Sequence, residues 1–332
     1  MDNETPSETE LKKAGPRPPF PEGTDVSGEL RNPNRRPHPR LVGCIAFSTV
    51  LALVFLKPLA SLAMHAAGSQ LHSHILLVPF ISAYLVYIRR KQLPAEFGFS
   101  PGWAGVPLLA GVAALALGWG SGAMDWHLSE NDSLALMALS FVCLLVAGGF
   151  VFLGKKWMSA VAFPVAFLIF MVPLPDGVVD WLETGSKLAS ADAANMLFHI
   201  SGTPVFREGT VFHLPGMVVE VAQECSGIRS SLVLFITGLL ASNLLLRSGW
   251  RRALLVAVVI PLGILRNGFR VLVISLLCVH IGPHMIHSSI HRRGGPVFFV
   301  LSLVPLFLLL WWLRRGDAAA WARENSEGVA QG

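Results

Sequence analysis

The sequence has 332 residues, 53% of them hydrophobic and 14% charged, with a mean hydropathy of +0.56. A soluble domain carries roughly a quarter charged residues, so these proportions exclude one and demand a bilayer as solvent for most of the chain. The net charge of +5 does not point to nucleic acid, because the basic residues sit in short groups at the ends of apolar runs, as in the positive-inside pattern.

Residues 1–39 are rich in Pro, Gly, Glu, Lys and Arg without apolar periodicity, and read as a disordered cytoplasmic tail. No signal peptide opens the chain, so the first apolar run, at about 41–63, is expected to be a retained anchor that Pro58 kinks or ends. Runs of bilayer length follow at about 72–88, 103–121, 133–153, 157–173, 228–246, 253–277 and 294–313. The expected fold is an all-α polytopic membrane protein, a bundle of about eight transmembrane helices over 40–315, with a loose polar cytoplasmic tail at 316–332. No internal inverted repeat is evident.

Arg35, Arg36 and Arg40 precede the first run, and Arg89, Arg90 and Lys91 follow the second. Lys155 and Lys156 lie between the fourth and fifth, Arg247, Arg251 and Arg252 between the sixth and seventh, and Arg314 with Arg315 closes the eighth. Eight spans place every cluster on one side, so both termini are expected in the cytoplasm of a multi-pass inner-membrane protein. The outer face then receives the loops near 122–132, 174–227 and 278–293, of which the middle one is long enough to expect a function. In its first half Val178, Trp181, Leu182, Leu188 and Leu197 recur at roughly helical spacing, which predicts an amphipathic helix lying at the interface. Its second half, from Thr203 to Val221, is rich in Val and Phe, with breaks at Gly209 and Pro215-Gly216. It predicts short extended segments, so that helix and segments form an outer cap.

Of the four cysteines, Cys44, Cys143 and Cys278 lie inside apolar runs as small hydrophobes, whereas Cys225 opens the sixth run in Glu224-Cys225-Ser226-Gly227-Ile228-Arg229-Ser230-Ser231. A helix N-terminus offers unpaired N–H groups and the positive end of the backbone dipole, which favour thiolate, and Arg229 adds charge one turn on. The position suits a nucleophile and equally a structural cysteine beside a helix start. In the seventh run Arg266, Asn267 and Arg270 interrupt an apolar helix, where charge is costly and usually faces the bundle interior or a wet cavity. Arg270 lies about 27 Å along the axis from Arg252, at the outer boundary of the hydrocarbon, and reads as a binding group; Arg266 can be read as a snorkelling side chain. His280, His284, His287 and His291 follow a 4-3-4 spacing that could suggest a metal site, but Gly282-Pro283 interrupts the helix it needs and no carboxylate completes it. Loop histidines are commonly solvated. His291 differs in opening the last run at the outer surface. Cys225, Arg270 and His291 thus reach one depth from three runs, and a thiol, an imidazole and a guanidinium suffice for acyl transfer without metal or cofactor.

At these places the chain resembles the exosortase/archaeosortase family of membrane transpeptidases. The resemblance lies in Cys225-Ser226-Gly227-Ile228-Arg229-Ser230, in Asn267-Gly268-Phe269-Arg270, and in His291 with Gly295, Phe298 and Phe299. Looser matches are His72-Ser73-His74-Ile75-Leu76-Leu77-Val78-Pro79 and Val172-Pro173-Leu174-Pro175-Asp176; His72 and Ile75 stand where Tyr and Gly are usual. The resemblance implies an enzyme that cleaves exported proteins at a C-terminal sorting signal of short motif, membrane helix and basic tail. It transfers the acyl group to another acceptor, for which an exopolysaccharide or a lipid is a candidate. Cys225 would be the nucleophile, His291 the proton shuttle and Arg270 the transition-state stabiliser, with Glu224, Arg229 and Asn267 in support. Two other readings compete. A transporter would bind an anion or metal at the outer Arg/His cluster and needs a polar path through the bilayer. An exopolysaccharide export or polymerisation component would not need Cys225.

Overall fold

The computed structural model describes residues 38–69, 71–120, 128–215, 217–221, 227–282, 284–285 and 295–330, the last stretch as backbone alone from 318. The expected tail over most of 1–39 lies outside the described residues. Helix α1 (Pro39–Val54) meets α2 (Leu56–Gly68) at a 70° bend. Pro58 explains the break: its ring clashes with the carbonyl four residues back, that of Val54, where α1 ends. A 3₁₀ turn at Ser73–Leu76 leads into α3 (Val78–Ile88), followed by α4 (Pro101–Gly120) and α5 (Glu130–Phe152). Residues 155–171 form α6 (Lys155–Ala160), α7 (Ala162–Phe167) and a 3₁₀ turn to Met171.

The chain then turns 92° into α8 (Asp176–Ile200), the helix expected at the interface. The N-terminus of α5 holds this corner. The Asn131 amide donates to the Leu174 carbonyl and to the Asp176 carboxylate, each at 2.8 Å, and Asp132 accepts the Asp176 N–H at 2.8 Å. Three antiparallel strands follow, β1 (Phe206–Glu208), β2 (Val211–Leu214) and β3 (Met217–Glu220), in the order β1-β2-β3. These are the predicted extended segments, turning at Gly209, whose φ of +62° suits glycine, and at Pro215.

Helix α9 (Ile228–Leu245) returns through the bundle and is joined by a short turn to α10 (Gly249–His280), with α11 (Gly295–Ala330) last. Among the described residues five helices are long and apolar enough to cross a membrane, α4, α5, α9, α10 and Gly295–Asp317 of α11, or up to seven if each bent pair counts as one. The number found is lower than the expected eight or so for a local reason. The segments at 73–88 and 155–171 are broken by 3₁₀ turns and Pro164 into pieces too short to pass as single helices. They brace each other instead, the buried Ser82 hydroxyl donating to the Pro164 carbonyl. The C-terminal stretch also differs from the loose tail expected, since α11 runs on as helix to Ala330.

At 1.5 Å per residue the 32 residues of α10 span about 48 Å, well beyond a hydrocarbon core of about 30 Å. Its outer part is clothed by protein: Val271 and Leu272 share a core with Ala191, Ala194 and Phe198 of α8 and Phe212 and Leu214 of β2. A second core joins α9, α10 and α11 through Leu234, Leu255, Val259, Leu306 and Leu310. A third joins α2, α3, α5, α9 and residues 162–171 through Leu62, Val78, Leu134, Phe167 and Ile236.

The basic clusters gather at one end, as their spacing predicts. Arg40 donates to the Phe97 carbonyl, Phe97 stacks near Trp157, and Arg89 bonds Asn243 at the foot of α9. Asp317, 9% exposed, accepts from the Arg247 N–H at 2.8 Å and pairs with Arg251, locking the α9–α10 turn to α11.

The contact of α8 with α10 depends on Gly268, where an added Cβ would lie 2.7 Å from the Ala193 Cβ and 2.9 Å from the Ala194 backbone nitrogen. Backbone cannot move aside, so Gly268→Ala should destabilise the detergent-solubilised protein by about 1–3 kcal/mol. Gly105→Ala, where a Cβ meets nothing within 4 Å, should be neutral in the same thermal-unfolding assay.

Candidate active site

The site forms where the start of α9 meets the C-terminal half of α10. Gly227 is the N-cap of α9 in a left-handed conformation, φ 72° and ψ 6°. A Cβ there would lie 2.9 Å from the Asn267 Cγ, 3.0 Å from its Oδ1 and 3.2 Å from the Arg266 Nη2, so both torsion and space call for glycine. The Gly227 carbonyl accepts from the Ser231 N–H at 2.9 Å, the Ser230 hydroxyl at 3.1 Å and Arg266 Nη2 at 3.1 Å. Arg266 Nη2 also donates to the Ser231 hydroxyl at 3.2 Å. One helical turn lower, Gly263 has no side chain, and Ser231 Oγ lies 2.7 Å from where its Cβ would be. The two helices therefore touch at backbone distance just below the site.

Asn267 is 2% exposed and fills the wall behind Gly227. Arg270 follows one turn outward from Arg266 and is partly buried. Phe269, its neighbour, makes an edge-on contact with Phe298 of α11, ring centroids 6.3 Å apart. The described ends of the three sequence blocks thus meet on one stretch of α10: Gly227 from the first, Asn267 within the second, Phe298 from the third. Cys225, Glu224 and His291 lie outside the described residues, as does His287.

Other candidates fall elsewhere. Arg229 is exposed in the first turn of α9. His280 ends α10 and is exposed, about 15 Å beyond Arg270 along the axis, and His284 is exposed past Gly282, whose φ is +143°. The helical face that a 4-3-4 histidine set requires is therefore interrupted, as the Gly-Pro pair implies. His72 is buried beside α2, its ring 5.4 Å from that of His65, and belongs to the α2–α3 side rather than to the α10 turn.

The snorkelling reading of Arg266 is overturned. The side chain is 7% exposed and bonds inward to Gly227 and Ser231 instead of reaching the interface. The available signal was its place one turn from Arg270 with Gly263 below it, a face where another helix must come close. Ser231 was likewise legible only in pairing, since an isolated helix serine has no signature.

A cavity of about 470 Å³ opens under α8, lined by Leu174, Trp181, Ile228, Ser231, Phe235 and Ile260 among others. It is apolar and reaches up to the residue following Gly227, so an apolar segment within the bilayer can approach the same turn.

The family model described as Transmembrane exosortase matches residues 66–308, about three quarters of the chain. No curated protein and no solved structure matches.

Because Gly227 needs both a left-handed backbone and the absence of a Cβ, Gly227→Ala should lower stability by about 1–3 kcal/mol through strain and overpacking. Thermal unfolding measures this, and a change under 0.5 kcal/mol contradicts the packing described.

Proposed function

The chain belongs to the transmembrane exosortase family, and on that premise we propose that it is a cysteine transpeptidase acting on exported proteins at the outer face of the inner membrane. The observation that supports this reading is that Gly227 packs on Asn267 and Phe298 on Phe269, both on the stretch of α10 that ends in Arg270.

In this reading the Cys225 thiolate attacks the carbonyl carbon at the sorting motif. The C–N bond breaks, the amine leaves with a proton delivered by His291, and the acyl group remains on sulfur as a thioester. Arg270 stands beside the oxyanion that develops in each addition. An acceptor nucleophile then attacks the thioester and gives its proton to His291, and the C–S bond breaks to restore the thiolate and the protonated histidine. Glu224 and Arg229 flank the nucleophile, and Asn267 supports the turn below it. The sorting signal combines a motif with a membrane helix and a basic tail, and the acceptor is an exopolysaccharide or a lipid. A substrate anchored by its own helix explains why the enzyme is itself embedded. The chain is organised as a cytoplasmic tail over 1–39, the membrane domain over 40–315 and a cytoplasmic extension over 316–332.

The test is Cys225→Ala and Cys225→Ser in the native host, following a secreted protein that bears a C-terminal helix and basic tail. Unprocessed precursor should accumulate in the membrane at normal enzyme levels; processing at the wild-type rate sinks the thiol chemistry. Arg270→Ala should reduce turnover by about 10²–10³-fold, the usual loss for one oxyanion donor.

Orientation has its own check. A fluorescent protein fused after Gly332 should light up, and alkaline phosphatase inserted near Gly209 should be active; the reverse pattern inverts the topology.

A further inference from the structure

We infer that Arg266 is a positioning residue for the nucleophile, distinct from Arg270, that holds the turn from which Cys225 is presented; this rests on the thiol reading above. A guanidinium about 21 Å along α10 from Arg252 lies inside the hydrocarbon, where it persists only if the protein supplies acceptors. Arg266 spends Nη2 on the Gly227 carbonyl at 3.1 Å and the Ser231 hydroxyl at 3.2 Å, both on α9. Among the described residues it makes no ion pair with a carboxylate, and its buried Nη1 has no hydrogen-bond partner there. The side chain is thus kept at some expense, against the left-handed N-cap of α9 at Gly227, two residues after Cys225 in sequence.

The surroundings are fitted to that bond. Gly263 lets Ser231 approach to where a side chain would stand, and Gly227 leaves the space that Asn267 and Arg266 occupy. Without Arg266 the Gly227 carbonyl keeps its helical bond to the Ser231 N–H and its Ser230 contact, so α9 still forms. What is lost is the tie between the turn and α10, the helix that carries Arg270. The residue therefore registers nucleophile block against oxyanion donor across two helices.

A structural role and a positioning role separate experimentally. Replacing a buried, incompletely paired charge by an apolar side chain of similar volume is often neutral or stabilising, so Arg266→Met should keep its unfolding temperature. The readout is the rate at which iodoacetamide alkylates Cys225 in the full-length protein in lipid vesicles, followed by peptide mass spectrometry at pH 7. Wild-type Cys225 should react faster than free N-acetylcysteine. Arg266→Met should slow it at least tenfold, and Arg266→Lys, which keeps the charge and one donor direction, should fall between. Equal rates in wild type and Arg266→Met overturn the inference while leaving the thiol reading intact. A wild-type Cys225 slower than N-acetylcysteine overturns the thiol reading itself, and the inference with it. If Arg266→Met does not fold, Ser231→Ala, which removes only one of the two acceptors, carries the test: about threefold slowing supports the role, and an unchanged rate sinks it.

Discussion

A charged side chain inside hydrocarbon must find its partners within the protein, and here Arg266 finds them on the opposite helix, in the Gly227 carbonyl and the Ser231 hydroxyl. That bond determines where α9 begins relative to α10. The two helices approach closely around it, and glycine at 227 and 263 leaves the room they need. A larger residue at either place would push against Asn267, Arg266 or Ser231 within about 3 Å. The polar group and the small residues are one device: glycine lets the backbones meet, and the arginine gives them a reason to stay in register.

Helix α10 is the spine on which the rest is assembled. Its inner end is tied to α11 through Asp317, its middle to α9, and its outer part to α8 and β2. A helix longer than the bilayer must either tilt or be covered beyond it, and the cap of α8 and three strands covers it. The cap thereby becomes a wall of the site, because Gly268, two residues before Arg270, lies against Ala193 and Ala194 of α8. Moving α8 by the width of a methyl group would disturb the ground on which Arg270 stands.

The 92° corner between residue 171 and α8 shows how a membrane protein changes direction without orphaned backbone groups. Pro173 and Pro175 end the preceding helix and start the next, while Asn131 and Asp132 of α5 accept or donate to the backbone that the turn would leave bare. The same economy explains the broken segments at 73–88 and 155–171. Each sacrifices regular helix, and each recovers part of it through contacts such as Ser82 to Pro164.

Much was legible in the order of residues alone. Apolar runs and the Val178–Leu197 periodicity determined an α-helical membrane bundle with the helix α8 and three short strands between its spans, because burial in lipid and alternation along a segment act on each segment independently. Continuity within a run was less legible: hydropathy reads 73–88 and 155–171 as spans, but helix breaks depend on which neighbour can take the freed carbonyls. The extension of α11 past Arg315 escaped for the opposite reason, since a polar sequence does not announce a helix that continues an existing one. Of the site, the types and spacing of the three blocks were visible, whereas the inward turn of Arg266 was not. Its direction is decided by an acceptor 39 residues away in sequence, and only the packing of α9 on α10 brings that carbonyl within reach.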